Sequence, residues 1–552
     1  MNVFELVNRE LRIDKKKFFT LACISGLANA AVLAVINTSA QHVSDKEDTL
    51  YYLAIFVVIV AIYVVAQKQL MFAATAHVEQ AINNLRLKLV EDIRRSELST
   101  IEKIGKEEIY TIISKELQTM SQASTLFVIV GQASVLIFFT MIYIAWLSLA
   151  AFILTIFFVS IGAGLHLLRS REVRGYLKKS FDKENQLVTR LSDLLDGFKE
   201  VKLSSKRADD LEKQIFKLSD EVAETKIKTQ SIYSSDFVMS QSTFFVLTGS
   251  MVFFVPILSS VYPDVVMKVT TTSLFLIGPI SNIVSGIPIF ANANAAIRNV
   301  IELEEKLKSN IPCHQEEAAD QLPQNFATIT LSKLHFTHAD NGNGGDKSFA
   351  VGPIDFTIKK GQTIFITGGN GSGKTSFIRL LTGLYPADGG TINVDRRPVN
   401  NNNLESYRNL FSAVFSDFHL FQHFYGMGEV DFEEANSWLN YLEMSHKVSI
   451  KNQGFSTTRL STGQRKRLAL LATALESRPI CIFDEWAADQ DPGFRDKFYT
   501  EILPRLKARG QTIIAITHDD KYFHLADTHM KMVDGMLLPS NGISKEVITH
   551  AG

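Results

Sequence analysis

The chain of 552 residues is 46% hydrophobic and 21% charged, with 57 Lys+Arg against 58 Asp+Glu and a net charge of −1. This balance argues against a generally basic nucleic-acid binder, and so much apolar residue argues against disorder. Cys23, Cys313 and Cys481 share no CxxC spacing, which speaks against a disulfide framework or a zinc site.

The length predicts two or more domains. Residues 1–300 contain long uncharged runs, whereas 322–552 read as soluble α/β. Phe18–Thr38 is an uncharged stretch of 21 residues and Thr49–Gln67 one of 19. Leu117–Leu168 holds 52 residues without Asp, Glu, Lys or Arg, enough for two spans with a turn near Trp146. Phe237–Pro263 and Val269–Ile297 add 27 and 29. A bilayer core takes about 20 apolar residues per helix. The expectation is a six-helix transmembrane domain over 1–309, with spans near 18–38, 49–67, 126–145, 147–168, 237–260 and 269–291. The first run is too long for a typical signal-peptide h-region, and further spans follow, so it reads as a retained helix.

Segments 1–17, 68–116 and 169–236 carry 5, 8 and 15 Lys+Arg, while the opposite side carries only Lys46 and Lys268. The positive-inside rule then places both termini in the cytoplasm. Lys68–Glu116 and Arg169–Asp236 have helical periodicity, mixed charge and no proline. They are expected to continue the spans out of the bilayer as long arms, reversing near Glu97–Gly105 and Leu194–Lys202.

A linker is expected at 310–321, then one domain over 322–552. Within it a β-rich run, Gln362–Thr367, precedes Gly368-Gly369-Asn370-Gly371-Ser372-Gly373-Lys374-Thr375, and the mostly apolar stretch from Ser376 to Leu384 follows. This is strand, GxxxxGK[ST] loop, helix. Glycines let backbone N–H groups close on phosphate oxygens at a helix N-terminus. Lys374 would reach the β/γ-phosphates of ATP and the Thr375 hydroxyl would bind Mg²⁺. Ile480–Glu485 is a buried-strand run ending in two acids. Asp484 would hold Mg²⁺ through water and Glu485 would polarise the attacking water. Leu460-Ser461-Thr462-Gly463-Gln464 opens a helix, Asp491 lies six residues after Glu485, and the run Ile513–Thr517 ends at His518.

These motifs, in this order and spacing, resemble those of the ATP-binding cassette (ABC) exporters, and the resemblance covers nearly the whole chain. Within that superfamily, Asp196–Leu203, Phe411–Phe415, Asp484–Pro492 and Thr517–Asp520 are similar to the cyclic-peptide and siderophore exporter family, the pyoverdine- and syringomycin-type transporters. The resemblance implies an exporter fold with a C-terminal α/β ATP-binding cassette. It makes Ser461, Gly463 and Gln464 the signature that binds the γ-phosphate, Asp491 the D-loop and His518 the switch histidine. Gly368 to Ser376 would hold the phosphates. Three departures stand out. Ser416, followed by Asp417, replaces the Q-loop glutamine, so either one or a water would take its place near Mg²⁺. His338 occupies the position of the adenine-stacking aromatic, and Thr462 replaces a signature glycine.

In this superfamily ATP is sandwiched between the loop of one cassette and the signature of another. The chain is therefore expected to be a half-transporter of the bacterial inner membrane, a homodimer with its cassettes in the cytoplasm that exports by alternating access. The expected cargo is an amphipathic peptide-like molecule, a cyclic peptide, microcin or peptidic siderophore; nucleic acid is not an expected partner. Phe244, Phe245, Phe253, Phe254, Phe275 and Phe290, with Asn282, Asn292, Asn294, Ser281 and Ser285, are candidate pocket residues. No acid or base falls inside the expected spans, so no counter-ion for a strongly charged cargo is expected there. The alternatives are a lipid or hydrophobic-compound flippase of the same architecture and a membrane-anchored ATPase sensor.

Overall fold

The computed structural model describes residues 15–39, 46–258, 263–309, 322–323, 325–338 and 349–540; the expected linker at 310–321 lies outside them. The contacts divide the chain into two compact units. Met1–Arg94 and Lys106–Lys306 form the first; Arg95–Gly105 and Leu307–Gly552 form the second.

The first unit is helical: α1 (Lys15–Ser39) and the 50-residue α2 (Lys46–Arg95), whose last residue already counts with the second unit. The short α3 (Leu98–Ile104) belongs to the second unit. Then α4 (Lys106–Thr111) runs through a π turn into α5 (Leu117–Leu147), followed by α6 (Leu149–Asp196) and α7 (Phe198–Leu203). The unit closes with α8 (Ser205–Phe253), α9 (Val255–Leu258) and α10 (Pro263–Lys308), whose last two residues count with the second unit. At 1.5 Å per residue α2 is roughly 75 Å long, well over twice a bilayer core. The breaks between long helices have local causes. Ser148 and Ser204 cap α6 and α8 by accepting from Ala151 N and Arg207 N, and Gly197 separates α6 from α7.

Among the described residues five helical stretches are long and apolar enough to cross a membrane: Thr20–Ser39, Leu50–Arg95, Lys106–Leu147, Ser205–Ile257 and Val265–Lys308. Six spans are expected from the sequence. The remaining one, near 147–168, falls on α6, where the apolar stretch among the described residues is Leu149–Gly162. Only 6% of the apolar window of α2 is buried, so this surface is suited to lipid rather than to a protein core. Polar side chains tie the spans together, as expected where water cannot compete. Ser25 donates to Gln67 Oε1 (2.8 Å), and Gln67 donates to Gln132 Oε1 (2.6 Å), joining α1, α2 and α5. Asn37 donates to Thr272 Oγ1 (3.2 Å), joining α1 to α10. Gly26 lets α1 approach α5 closely, since a Cβ there would lie 2.4 Å from Val135.

In the second unit, β1 (Thr328–Thr337), β2 (Ala350–Lys359), β4 (Gly389–Val394) and β5 (Arg397–Pro398) form an antiparallel sheet of order β2-β1-β4-β5. The main sheet uses β3 (Thr363–Gly368), β6 (Phe411–Val414), β9 (Ile480–Asp484), β10 (Thr512–Ile516), β11 (Thr528–Val533) and β12 (Met536–Pro539) in the order β12-β11-β3-β10-β9-β6. Two short strands, β7 (Ile450–Lys451) and β8 (Gly454–Phe455), pair separately. Strands β3, β9 and β10 are buried along almost their full length, hence their unbroken apolar sequences. Helices pack on this sheet: α11 (Lys374–Leu381), α12 (Leu404–Arg408), α13 (Phe432–Tyr441), α14 (Thr462–Glu476), α15 (Pro492–Lys497) and α16 (Leu503–Ala508). Leu98 of α3 packs against the same core cluster as Phe377, Leu381 and Tyr407, which accounts for its place in this unit.

Gly390 has φ +87°, and a Cβ there would lie 2.4 Å from the Lys333 carbonyl oxygen across the β1–β4 pair. Gly390→Ala should cost on the order of 1–3 kcal/mol and lower the thermal unfolding midpoint of the detergent-solubilised chain by several degrees. An unchanged midpoint would mean that the strand pair absorbs the methyl group freely.

Candidate functional site

The register of three parallel strands builds the site. Ile516 of β10 pairs with Ile366 of β3 on one side and with Asp484 of β9 on the other. The loop after β3, the acids after β9 and His518 after β10 therefore emerge at one sheet edge, where ligands of open α/β sheets bind.

In the loop Gly368, Gly371 and Gly373 have φ values of +149°, +78° and +98°, which L side chains rarely adopt. A Cβ at Gly368 would also lie 2.4 Å from the Met532 carbonyl oxygen. Lys374 is 6% exposed, and its ammonium donates to the carbonyls of Gly368 (2.9 Å) and Gly369 (3.0 Å). It also lies 3.8 Å from Glu485 Oε1. The Ser372 hydroxyl is buried and has no hydrogen-bond partner among the described residues. A cation, an unpartnered hydroxyl and a helix N-terminus converging on one loop fit an anionic phosphate chain.

Asp484 is 1% exposed and its Oδ2 accepts from Thr375 Oγ1 (3.0 Å) and Ser416 Oγ (3.3 Å). Burial pushes its carboxyl above the ordinary range, the bond from Thr375 opposes this, and the neighbouring Glu485 charge adds to it. Two hydroxyls and a buried carboxylate form an all-oxygen donor set that suits Mg²⁺. Asp417, expected as an alternative ligand, is placed elsewhere: its Oδ2 accepts from Arg379 Nη2 (3.2 Å) and its side chain is 70% exposed. The reason is the chain direction beyond β6, which brings Ser416 to Asp484 and leaves Asp417 facing α11.

Glu485 sits in the left-handed region at φ 51°, its N–H donating to the Ile516 carbonyl (3.2 Å). This turn leaves its carboxylate partly open, 3.3 Å from His518 Nε2. The His518 turn is fixed from behind: Tyr499 donates to Asp519 Oδ2 (2.8 Å), Arg495 reaches Asp519 Oδ1 (3.2 Å), and Asp519 N donates to Thr517 Oγ1 (3.0 Å). On the other side of the loop, His338 Nε2 lies 3.0 Å from Ser376 Oγ, and its ring stands edge-on to Phe336 and Tyr385.

Ser461 caps α14 with a capping box, its hydroxyl accepting from Gln464 N and its own N–H donating to Gln464 Oε1, both at 3.4 Å. A Cβ at Gly463 would lie 2.5 Å from the Asp489 carbonyl oxygen. Thr462 is exposed, so the extra side chain is accommodated. Among the described residues no hydrogen bond joins residues 460–464 to the loop 368–376 of the same chain. Asp491 caps α15, accepting from Phe494 N (2.9 Å), and also pairs with Arg467 (2.7 Å).

Sequence reasoning missed Lys466. It is 3% exposed, donates to the Glu485 carbonyl (2.8 Å) and pairs with Asp489 (2.7 Å), tying α14 to the acid. The only sequence signal was a cation on the buried face of a helix. In the first unit a cavity of about 510 Å³ is lined by Ile137, Phe158, Asp236, Thr243, Phe244 and Ile283, among others. Asp236, one residue before the expected uncharged span 237–260, lines this cavity, so an acid borders the spans although none lies inside them. Of the candidate pocket residues, Phe244 lines this cavity, whereas Phe245, Phe253 and Phe254 are exposed.

Residues 18–280 match the ABC transporter transmembrane region and residues 351–488 the ABC transporter domain. The chain is 31% identical to the ATP-binding protein SyrD of Pseudomonas syringae pv. syringae, over 94% of this chain and 93% of that protein. It is 25% identical to an ATP-dependent lipid A-core flippase of Alkalilimnicola ehrlichii, over 54% of this chain and 50% of the flippase. The solved structure of a bacterial Atm1-family ABC exporter with ATP bound superposes with a TM-score of 0.75 at 17% identity, over 95% of each chain, and so shares the fold. The chain belongs to the ABC exporters: a half-transporter with one transmembrane region and one cassette, a multi-pass membrane protein that binds ATP and couples its hydrolysis to export.

Lys374→Ala removes the cation at the loop, where one such group is worth several kcal/mol to a transferring phosphoryl group. Phosphate release should fall to background while the chain still inserts in membranes. Phosphate release at the parental rate would show that another cation serves the phosphates.

Proposed function

We propose that two copies of this chain form a homodimeric pump of the bacterial cytoplasmic membrane, with cassettes in the cytoplasm, that exports an amphipathic peptide-like molecule such as a cyclic peptide, microcin or peptidic siderophore. The single observation that carries the dimer is that each chain has one phosphate loop and one signature turn, with no bond between them among the described residues. A second copy supplies the missing signature, and both motif sets in this chain are usable. The same chain then suffices twice.

In this reading, backbone N–H groups from Gly368 to Ser376 cradle the phosphates, and Lys374 exchanges the Gly368 and Gly369 carbonyls for phosphate oxygens. His338, held by Ser376, stacks on adenine. Thr375, Ser416 and Asp484 would hold Mg²⁺, which would supply positive charge to the phosphates. Glu485 accepts the proton of the attacking water, with His518 fixing its carboxylate 3.3 Å away. Ser461, Gly463 and Gln464 of the partner copy close over the γ-phosphate, with Asp491 at the seam. Positioning and charge stabilisation then supply most of the catalysis.

The peptide-like cargo is supported by the similarity to the cyclic-peptide and siderophore exporters and by the relation to SyrD. The lipid-flippase reading keeps one specific support, the relation to the lipid A-core flippase. A sensor that moves nothing has none: the family couples hydrolysis to transport.

Two measurements test the reading. Glu485→Gln should retain ATP but slow turnover by about 10²-fold or more, since an amide cannot take the proton. The expected species is a nucleotide-occluded dimer by native mass spectrometry; turnover within a few-fold of the parent would place the general base elsewhere. In inside-out vesicles, cyclic peptides or peptidic siderophores should stimulate ATP hydrolysis and accumulate. Stimulation by lipids alone, without peptide accumulation, would favour the flippase.

A further inference from the structure

Lys466 is a cation almost cut off from solvent, one turn into α14 on its buried face. Its ammonium donates to the Glu485 carbonyl (2.8 Å) and to Asp489 Oδ2 (2.7 Å). Its own carbonyl accepts from the indole N–H of the buried Trp486 (2.8 Å), whose ring stacks on Phe498 at 4.4 Å. Residue 466 thus grips the Glu485–Trp486 peptide through its side chain and Trp486 through its backbone.

That grip falls on a strained link. Glu485 has φ 51° and ψ 36°, a left-handed conformation that long side chains rarely adopt. Such a residue persists only where its surroundings over-determine it. Its N–H is fixed to β10 by the Ile516 carbonyl (3.2 Å), and its carbonyl is fixed to α14 by Lys466. Ala488 N reaches the same carbonyl only at 3.4 Å. The direction of the Cα–Cβ bond follows from this backbone, so the two anchors aim the carboxylate. They leave Oε1 3.3 Å from His518 Nε2 and 3.8 Å from Lys374 Nζ. Rotation of the Glu485–Trp486 peptide would swing it out of both contacts. Among the described residues no hydrogen bond joins the Lys466 side chain to the loop 368–376.

We propose that Lys466 is a positioning residue for hydrolysis, one that holds the Glu485 backbone left-handed and so aims its carboxylate at the attacking water. The inference rests on the general-base role proposed above for Glu485. A joint that only glued α14 to the turn would need no charge, since apolar packing often replaces a buried ion pair at no loss of stability. Methionine nearly matches the lysine stem, and Asp489, 46% exposed, would keep its water. Lys466→Met therefore removes the anchor with little demand on the fold.

The test is steady-state ATP hydrolysis by the full-length chain in lipid nanodiscs, in the parental and the Glu485→Gln backgrounds, with dimers followed by native mass spectrometry. In the parental background Lys466→Met should lower kcat by about tenfold or more while KM for ATP stays within about threefold. Lys466→Gln, which keeps a donor on a shorter neutral stem, should recover part of the loss. Asp489→Asn, a change at a half-exposed position, should lower kcat by about threefold. In the Glu485→Gln background Lys466→Met should alter the residual turnover by less than about twofold, because a positioning residue acts through the group already removed. The nucleotide-occluded dimer should still form there. A parental kcat in Lys466→Met, or the same tenfold loss repeated in the Glu485→Gln background, would overturn the role. So would loss of the occluded dimer, which would place Lys466 in the signature's grip on the partner copy's nucleotide. Should Lys466→Met not fold, a parental kcat in both Lys466→Gln and Asp489→Asn would overturn it equally. Turnover near the parental rate in Glu485→Gln alone would instead remove the general-base reading on which the inference rests.

Discussion

The cassette depends on one piece of register. Ile516 pairs with Ile366 and with Asp484, so three strands end level at one sheet edge. A shift of one residue in either pairing would carry Asp484 away from Thr375, or Glu485 away from His518, by about 3.3 Å. Hydrogen bonds at 3.0–3.3 Å would not survive that. Strands β3, β9 and β10 are buried on both faces, so their register rests on how their side chains interdigitate with the packed helices on either side.

The buried polar groups show where this rigidity is spent. Asp484, Lys374 and Lys466 are nearly inaccessible, and each is held by partners chosen for its charge. Lys466 binds a backbone carbonyl and a carboxylate; Lys374 binds two carbonyls; Asp484 binds two hydroxyls. Neutral hydroxyls satisfy Asp484, and Lys374 adds to its two carbonyls only a longer approach to Glu485 at 3.8 Å. Both remain able to bind a phosphate chain and its cation.

In the membrane region the constraint is different. Backbone groups are satisfied within continuous helices, and side-chain amides and hydroxyls supply the specific joins. The Ser25–Gln67–Gln132 set and the Asn37–Thr272 bond mark contacts that an apolar surface alone would not specify.

The sequence by itself determined what local chemistry dictates. The loop glycines are legible because left-handed backbone needs them, and the strand-terminal acids because buried strands read as unbroken apolar runs. The spans are legible because uncharged length is a property of the chain alone. Tertiary packing decided the rest. Ser416 and Asp417 are adjacent and both polar, and only the path of the chain past β6 sends one to Asp484 and the other to Arg379. Glu102 accepts from Arg379, 277 residues away in sequence, and no spacing rule predicts that contact. Lys466 and Asp236 carry ordinary charged side chains; their burial, and so their meaning, comes from what folds around them. Long-range neighbours set burial and partner, and those are the quantities that a linear pattern does not contain.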